Sequence, residues 1–184
     1  PNATTIFLTG TFNGWKEIDS YRLKRINPNG DWEIFLPEGS LNHGDLFKLS
    51  VHWDGGKGER IPSYATRLIQ DEKTKIFSAQ VWDPVSKYKW VLPGFVAGRF
   101  APVIYEAHIG MATDEEKIGT YREFTKNILP EIACSGYNTL QLMAIQEHPF
   151  YGSFGYHVSN FFAASSRFGT PDELKELIDC AHGY

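Results

Sequence analysis

A chain of 184 residues has room for one large domain or two small ones, and its apolar share of 42% fits a packed core rather than a disordered segment. With 18 basic against 22 acidic residues the net charge is −4 and no lysine or arginine cluster offsets it, so a nucleic-acid partner is not expected. No apolar run reaches bilayer length and no charged-then-apolar leader opens the chain, so no membrane partner is expected either.

From Thr4 to about Asp83 the pattern is short strands separated by turns. The candidates are Thr5–Thr9, Asp31–Leu36, Leu46–Val51, Ala65–Gln70 and Ile76–Val81. Between them stand Asn13-Gly14, Asn27-Pro28-Asn29-Gly30, Asp54-Gly55-Gly56 and Ile61-Pro62-Ser63, which supply positive or fixed φ. Trp32 and Phe35 fall at opposite parity, so one ring faces the core and the other solvent. Short strands at this spacing predict an antiparallel β-sandwich over residues 1–83. Three prolines and two glycines between Pro84 and Pro102 mark residues 84–102 as a linker.

From Val103 the pattern becomes β-α-β. Val103–Ala107 is a short buried strand, and Thr120-Tyr121-Arg122-Glu123 is a capping box that opens a helix. Phe124, Ile128 and Ile132 form its apolar face, Gly136 suits a left-handed cap, and Pro130 should kink it. Asn138–Ile145 is a second buried strand. A better marked helix follows, with Thr170 as N-cap, Pro171 at the first helical position and Glu173 closing the box. Leu174, Leu177, Ile178 and Ala181 are its buried stripe. Residues 103–184 thus predict a parallel α/β segment, and the opening Pro1-Asn2-Ala3 and the stop at Tyr184 suggest a piece of a longer chain.

The two cysteines, Cys134 and Cys180, both fall on expected helices, which suggests a reducing compartment and buried thiols. The six histidines show no H-x-x-x-H pair and neither cysteine lies in a C-x-x-C, so no metal is expected. Gly55-Gly56-Lys57-Gly58 lacks the rest of a phosphate loop and fits a hairpin turn.

Several separated segments resemble one family. Thr9-Gly10-Thr11-Phe12-Asn13-Gly14-Trp15 resembles the "GDFNGW" turn of glucan-binding sandwich modules, with Thr11 where an acid is usual. Gly30-Asp31-Trp32-Glu33, His43-Gly44 and Arg60-Ile61-Pro62 follow in the order of branching enzymes. Ile104 to Gly110 and Gln141 to His148 resemble the first and second strands of the catalytic barrel. Ser153-Phe154-Gly155-Tyr156-His157-Val158 through Ser166-Arg167-Phe168-Gly169-Thr170-Pro171 resembles the loop beyond. The ordered set is similar to the branching-enzyme branch of the α-amylase superfamily, glycoside hydrolase family 13.

That resemblance implies a multidomain fold: an immunoglobulin-like antiparallel sandwich, then about two βα units of an eight-unit (β/α)8 barrel. It implies an α-1,4-glucan partner (glycogen, amylose, maltooligosaccharides), the remainder of the barrel as an intramolecular partner, no cofactor, and a cytoplasmic or plastid setting. The chemistry would be retaining transglycosylation, an α-1,4 bond cut and an α-1,6 bond made. The family's catalytic carboxylates lie beyond the third barrel strand, so no catalytic residue is expected in this chain.

For substrate binding the resemblance points to Trp15, Lys48 and Trp53, to Trp32 with Glu33, and to Tyr156 and His157 on the loop after the second barrel strand. Exposed indoles offer flat apolar faces to sugar C–H bonds. Trp15 and Trp32 serve either as such platforms or as core plugs, and Tyr156 stacks under the reacting sugar. Glu106, Glu147 and His148 are expected to tie loops together. The alternative to a branching-enzyme fragment is a stand-alone glucan-anchoring module, and a third reading is a sandwich that only packs.

Overall fold

The computed structural model describes residues 2–184; Pro1, on which the expectation of a cut start partly rests, lies outside them. The chain divides into two compact units, one running to Val85 and the other from Ser86 to Tyr184.

In the first unit β1 (Ala3–Gly10) is β-branched and aromatic in its middle, a composition that suits a pleated strand. After β2 (Lys24–Arg25) and β3 (Trp32–Glu33) comes the long β4 (Leu46–Trp53), followed by β5 (Gly56–Arg60), β6 (Leu68–Gln70) and β7 (Phe77–Gln80). One five-stranded antiparallel sheet results, with β1 on one edge of β4 and β5 and β7 sharing the other, and β6 beyond β7. The β2–β3 ribbon joins the free edge of β1 through the Leu23 N–H on the Ile6 carbonyl, 2.9 Å, and a bridge from Phe7 to Arg22.

Register sorts the side chains by face, because residues directly opposite one another project to the same side. Ile6 opposes Val51 and Leu8 opposes Leu49, and this face leads into the core of Ile6, Leu8, Ala65, Leu68 and Ala79. Phe7 opposes Ser50 and Thr9 opposes Lys48, which gives the other face its polar character. The unit is sandwich-like. Two of its strands escaped the sequence reading: Lys24–Arg25 and Gly56–Arg60 carry no apolar alternation. Gly55, at φ 85°, makes the turn, and the expected hairpin turn at Gly56–Gly58 is strand instead. Asp31–Leu36 contracts to Trp32–Glu33, with Phe35 86% exposed and Trp32 half-buried.

The second unit is built on β8 (Ile104–His108) and β9 (Thr139–Met143), paired in parallel. Parallel neighbours need a crossover, supplied by α1 (Tyr121–Glu123), a π-helical turn (Phe124–Ile128) and α2 (Leu129–Cys134). The capping box holds: the Glu123 N–H donates to Thr120 Oγ1 at 3.2 Å and the Thr120 N–H to Glu123 Oε2 at 3.0 Å. Pro130 has no N–H to give the carbonyl one turn back, and the chain meets this by widening to the π turn just before it. β9 ends earlier than expected because Ala144 turns to φ 57°, packed against Gly155. There β10 (Gln146–Glu147) pairs with β11 (Asn160–Ala164), antiparallel. The helix α3 (Pro171–Gly183) opens on Thr170 and buries Leu177. Ala107, Ile109, Tyr121, Phe124, Leu129, Ile132, Phe168 and Leu177 are the core.

In place of the expected barrel segment of about two βα units, the described residues show one parallel pair with its helical crossover. Two other expectations are corrected. Residues from Ser86 onward are not a free linker but part of the second unit: the buried carboxylate of Asp179 accepts the Tyr88 hydroxyl at 2.8 Å and the Val91 and Leu92 N–H groups at 2.6 and 3.0 Å. Phe95 stacks on His182 at 3.8 Å between ring centroids. Cys134 and Cys180 are exposed rather than buried, since each sits off its helix's apolar stripe.

Candidate functional site

The turn after β1 holds a tryptophan outward. Thr11–Asn13 forms a single 3-10 turn, Gly14 follows at φ 64° and Trp15 at φ 61°. A bulky residue rarely takes that left-handed conformation, which costs roughly 1–2 kcal/mol. The turn is fastened on both sides to sustain it. Asn13 Oδ1 accepts the Gly10 N–H at 3.0 Å, Asn13 Nδ2 donates to the Leu8 carbonyl at 3.0 Å, and the Trp15 N–H reaches the Gly10 carbonyl at 2.8 Å. Thr11 Oγ1 donates to Asp45 at 2.6 Å and accepts the Leu46 N–H at 3.2 Å. Thr11 therefore works as a hydroxyl tie across to β4.

The outcome is an indole 40% exposed with the Lys48 ammonium 5.6 Å from its ring centre. Lys48 is itself mostly buried and pairs with Glu59 at 2.7 Å. Beside them Glu17 accepts Ser50 Oγ at 2.8 Å, Lys57 Nζ at 3.0 Å and lies 3.1 Å from His52 Nε2. The Ser50 hydroxyl first, then the Lys57 ammonium, hold the Glu17 carboxyl down to about 2. An aromatic plate ringed by ammonium, carboxylate and hydroxyl groups has the donors and acceptors that a sugar's hydroxyl rim needs. Glu17, Lys57 and Glu59 were not singled out from sequence. Reading Asp54-Gly55 as a two-residue turn sets Lys57 opposite His52 and Glu59 opposite Ser50, and would have found them.

Trp53 does not join this group. It lies at opposite parity to Lys48 on β4, its ring flat against Gly56 and Gly58 with the Arg60 guanidinium 5.7 Å from its centre. Trp32 and Glu33 lie on the β2–β3 ribbon. Trp32, opposite Arg25, lines an open groove of 740 Å³ with Ala3, Asp19, Arg22, Lys24 and others, while exposed Glu33 stands opposite Lys24.

In the second unit Tyr156 is 76% exposed and His157 exposed, on the loop between β10 and β11. Glu147, fully buried, clamps that loop: its carboxylate accepts the Ser166 N–H at 2.8 Å and its carbonyl the Ser159 N–H at 2.9 Å. Glu106 accepts from Gln141 across the parallel pair. His108 and His148 are buried around Phe168, and desolvation, then the neighbouring His148, push His108 below its ordinary value. Among the described residues no group of three or more His, Cys, Asp or Glu could hold a metal ion. No described helix is long and apolar enough to cross a membrane.

Residues 1–65 match the model of carbohydrate-binding module 48, the isoamylase N-terminal domain. The chain as a whole is related to 1,4-alpha-glucan-branching enzymes. It is 44% identical to that of Yarrowia lipolytica over all of its own length and 27% of the relative's, and 45% identical to that of Saccharomyces cerevisiae over 99% and 28%. The chain thus spans about a quarter of the curated relatives it matches. Among solved structures it is similar to a group B Streptococcus pullulanase (TM-score 0.75, 18% identity, all of this chain and 30% of that one). It is also similar to the D470A mutant of a Paenibacillus barengoltzii pullulanase complexed with maltotetraose (TM-score 0.76, 17% identity, 98% and 33%).

Proposed function

We propose that this chain is the N-terminal part of a 1,4-α-glucan branching enzyme, whose first unit holds α-glucan while the rest of the protein cuts α-1,4 links and makes α-1,6 branches. The observation that carries the binding reading is Trp15, kept exposed in a left-handed turn above Lys48 although that conformation is unfavourable. A core plug has no need of such a turn. The indole takes the C–H face of a glucose ring, and Lys48, Glu59 and the Glu17 group meet its hydroxyls. Trp32 offers a second platform, and Trp53 with Arg60 stands on the opposite face of the sheet.

The parallel β8–β9 pair with its helical crossover supports reading the second unit as the opening of a (β/α)8 barrel. On that reading the loop after β9 lies at the catalytic face, and Tyr156 and His157 would meet the glucan there, positioned by Glu147. The acid and nucleophile of a retaining transglycosylase stand about 5 Å apart, and we assign neither role to a residue of this chain.

The test is a titration with maltoheptaose followed by tryptophan fluorescence, run beside a branching assay on amylose. Saturable binding that Trp15→Ala weakens by about tenfold, with no branching by this chain, is the expected outcome. Undiminished binding in Trp15→Ala removes the ring from the site, and no binding by the parent chain leaves the sandwich a packing domain.

A further inference from the structure

The groove beside Trp32 carries charge that the chain as a whole does not. Arg22, Lys24 and Arg25 line it, and Asp19 is the one carboxylate among its lining residues, in a protein of net charge −4. Lys24 stands opposite Glu33 on the ribbon, but the two arginines are held by neutral partners. Arg25 Nε and Nη2 donate to the carbonyls of Asn27 and Pro28 at 3.2 and 2.9 Å. Arg22 Nη2 reaches Thr5 Oγ1 at 3.4 Å, and its guanidinium lies 5.9 Å from the centre of the Phe7 ring. Among the described residues neither arginine has a carboxylate partner, so their charge is oriented by the fold without being neutralised.

A guanidinium fixed in this way loses little freedom when an anion docks, and its planar fork suits the oxygens of a phosphate. Trp32 is the direct cross-strand neighbour of Arg25. Side chains at such positions project about 5 Å apart, a separation that a phosphate ester on the exocyclic carbon of a hexose can span. The volume of 740 Å³ lies within the range of small-ligand sites. A neutral sugar can accept hydrogen bonds from the two guanidinium groups but leaves their charge unused, whereas a phosphorylated one uses ring and charge together.

We propose that this groove binds phosphate monoesters carried on α-glucan, with Trp32 taking a glucose ring and Arg22 and Arg25 the phosphate. This rests on the reading that the first unit binds α-glucan. The test is calorimetric titration of the 184-residue chain with maltoheptaose, 6-phosphorylated maltoheptaose, glucose 6-phosphate and inorganic phosphate. The phosphorylated glucan is expected to bind about fivefold tighter than the neutral one. That ratio should fall toward one in Arg22→Gln and Arg25→Gln, and in the parent chain as salt is raised, an arm that needs no variant. Equal affinity for the two glucans overturns the proposal and leaves glucan binding standing. No binding of either glucan overturns glucan binding itself. Inorganic phosphate or glucose 6-phosphate binding as tightly as the phosphorylated glucan also overturns it, since the site would then recognise an anion without the chain.

Discussion

Glu17 shows how far one side chain can be set by its neighbours. Its carboxyl is about 2 rather than 4.5 because the Ser50 hydroxyl and the Lys57 ammonium both favour the charged form. A folded-state value below the ordinary one means a stabilising contribution that is present above about pH 4.5 and lost as pH falls toward 2. Solvent screens the pair, so the contribution is at most about 1 kcal/mol. Glu17→Gln should lower stability by up to about 1 kcal/mol at neutral pH and converge on the parent chain toward pH 2, which flattens the acid limb of a urea-unfolding profile. At this scale the motif grouped Trp15 with Lys48, and the two side chains are neighbours, the ammonium 5.6 Å from the ring centre. The sequence was silent where register makes the group: Glu17 and Glu59 reach the site only because β5 folds back on β4. Trp53 was grouped with Lys48 from the motif, and the alternation of β4 parts them.

Among the elements, those with a local chemical signature were the readable ones. Both capping boxes, Thr120 with Glu123 and Thr170 with Glu173, sit where the residue types require. The response to Pro130 was foreseeable as a disturbance but not as a π turn, since how a helix absorbs a missing N–H depends on what packs around it. The segment before β8 was illegible as structure because its anchor is remote: Asp179 is far along the chain from the Tyr88, Val91 and Leu92 groups it accepts. Desolvation alone would raise the Asp179 carboxyl; the Val91 and Leu92 N–H groups and the Tyr88 hydroxyl outweigh it and hold it below the usual carboxylate range. Asp179→Ala should release this segment, with hydrogen-exchange protection at the Val91 and Leu92 amides falling on the order of tenfold. Unchanged protection there would mean that the backbone is held by something other than this carboxylate.

For the whole molecule, two units with separate cores predict two unfolding transitions. Leu68→Ala, in the first core, should cost about 2–5 kcal/mol and lower one transition, and Leu177→Ala should do the same to the other. Calorimetry that finds a single transition, shifted alike by either change, would show that the two cores melt as one. The overall plan, strands first and then β-α-β, was readable because hydrophobic period changes near Val103. The first unit was expected to end at residue 83, near Val85, but that the stretch after it belongs to the second unit was not legible, because a proline- and glycine-rich stretch looks the same whether it hangs free or is pinned.

The β8–β9 pair has a consequence for how the protein behaves when concentrated. Among the described residues each strand pairs along one side only, which leaves a row of amide and carbonyl groups on either outer flank. Such flanks are templates for further strands. The encounter that satisfies them is second order in protein, so self-association of this unit should steepen with concentration and ease on dilution. Additional strands from the same polypeptide would compete at a local concentration that no stock solution matches.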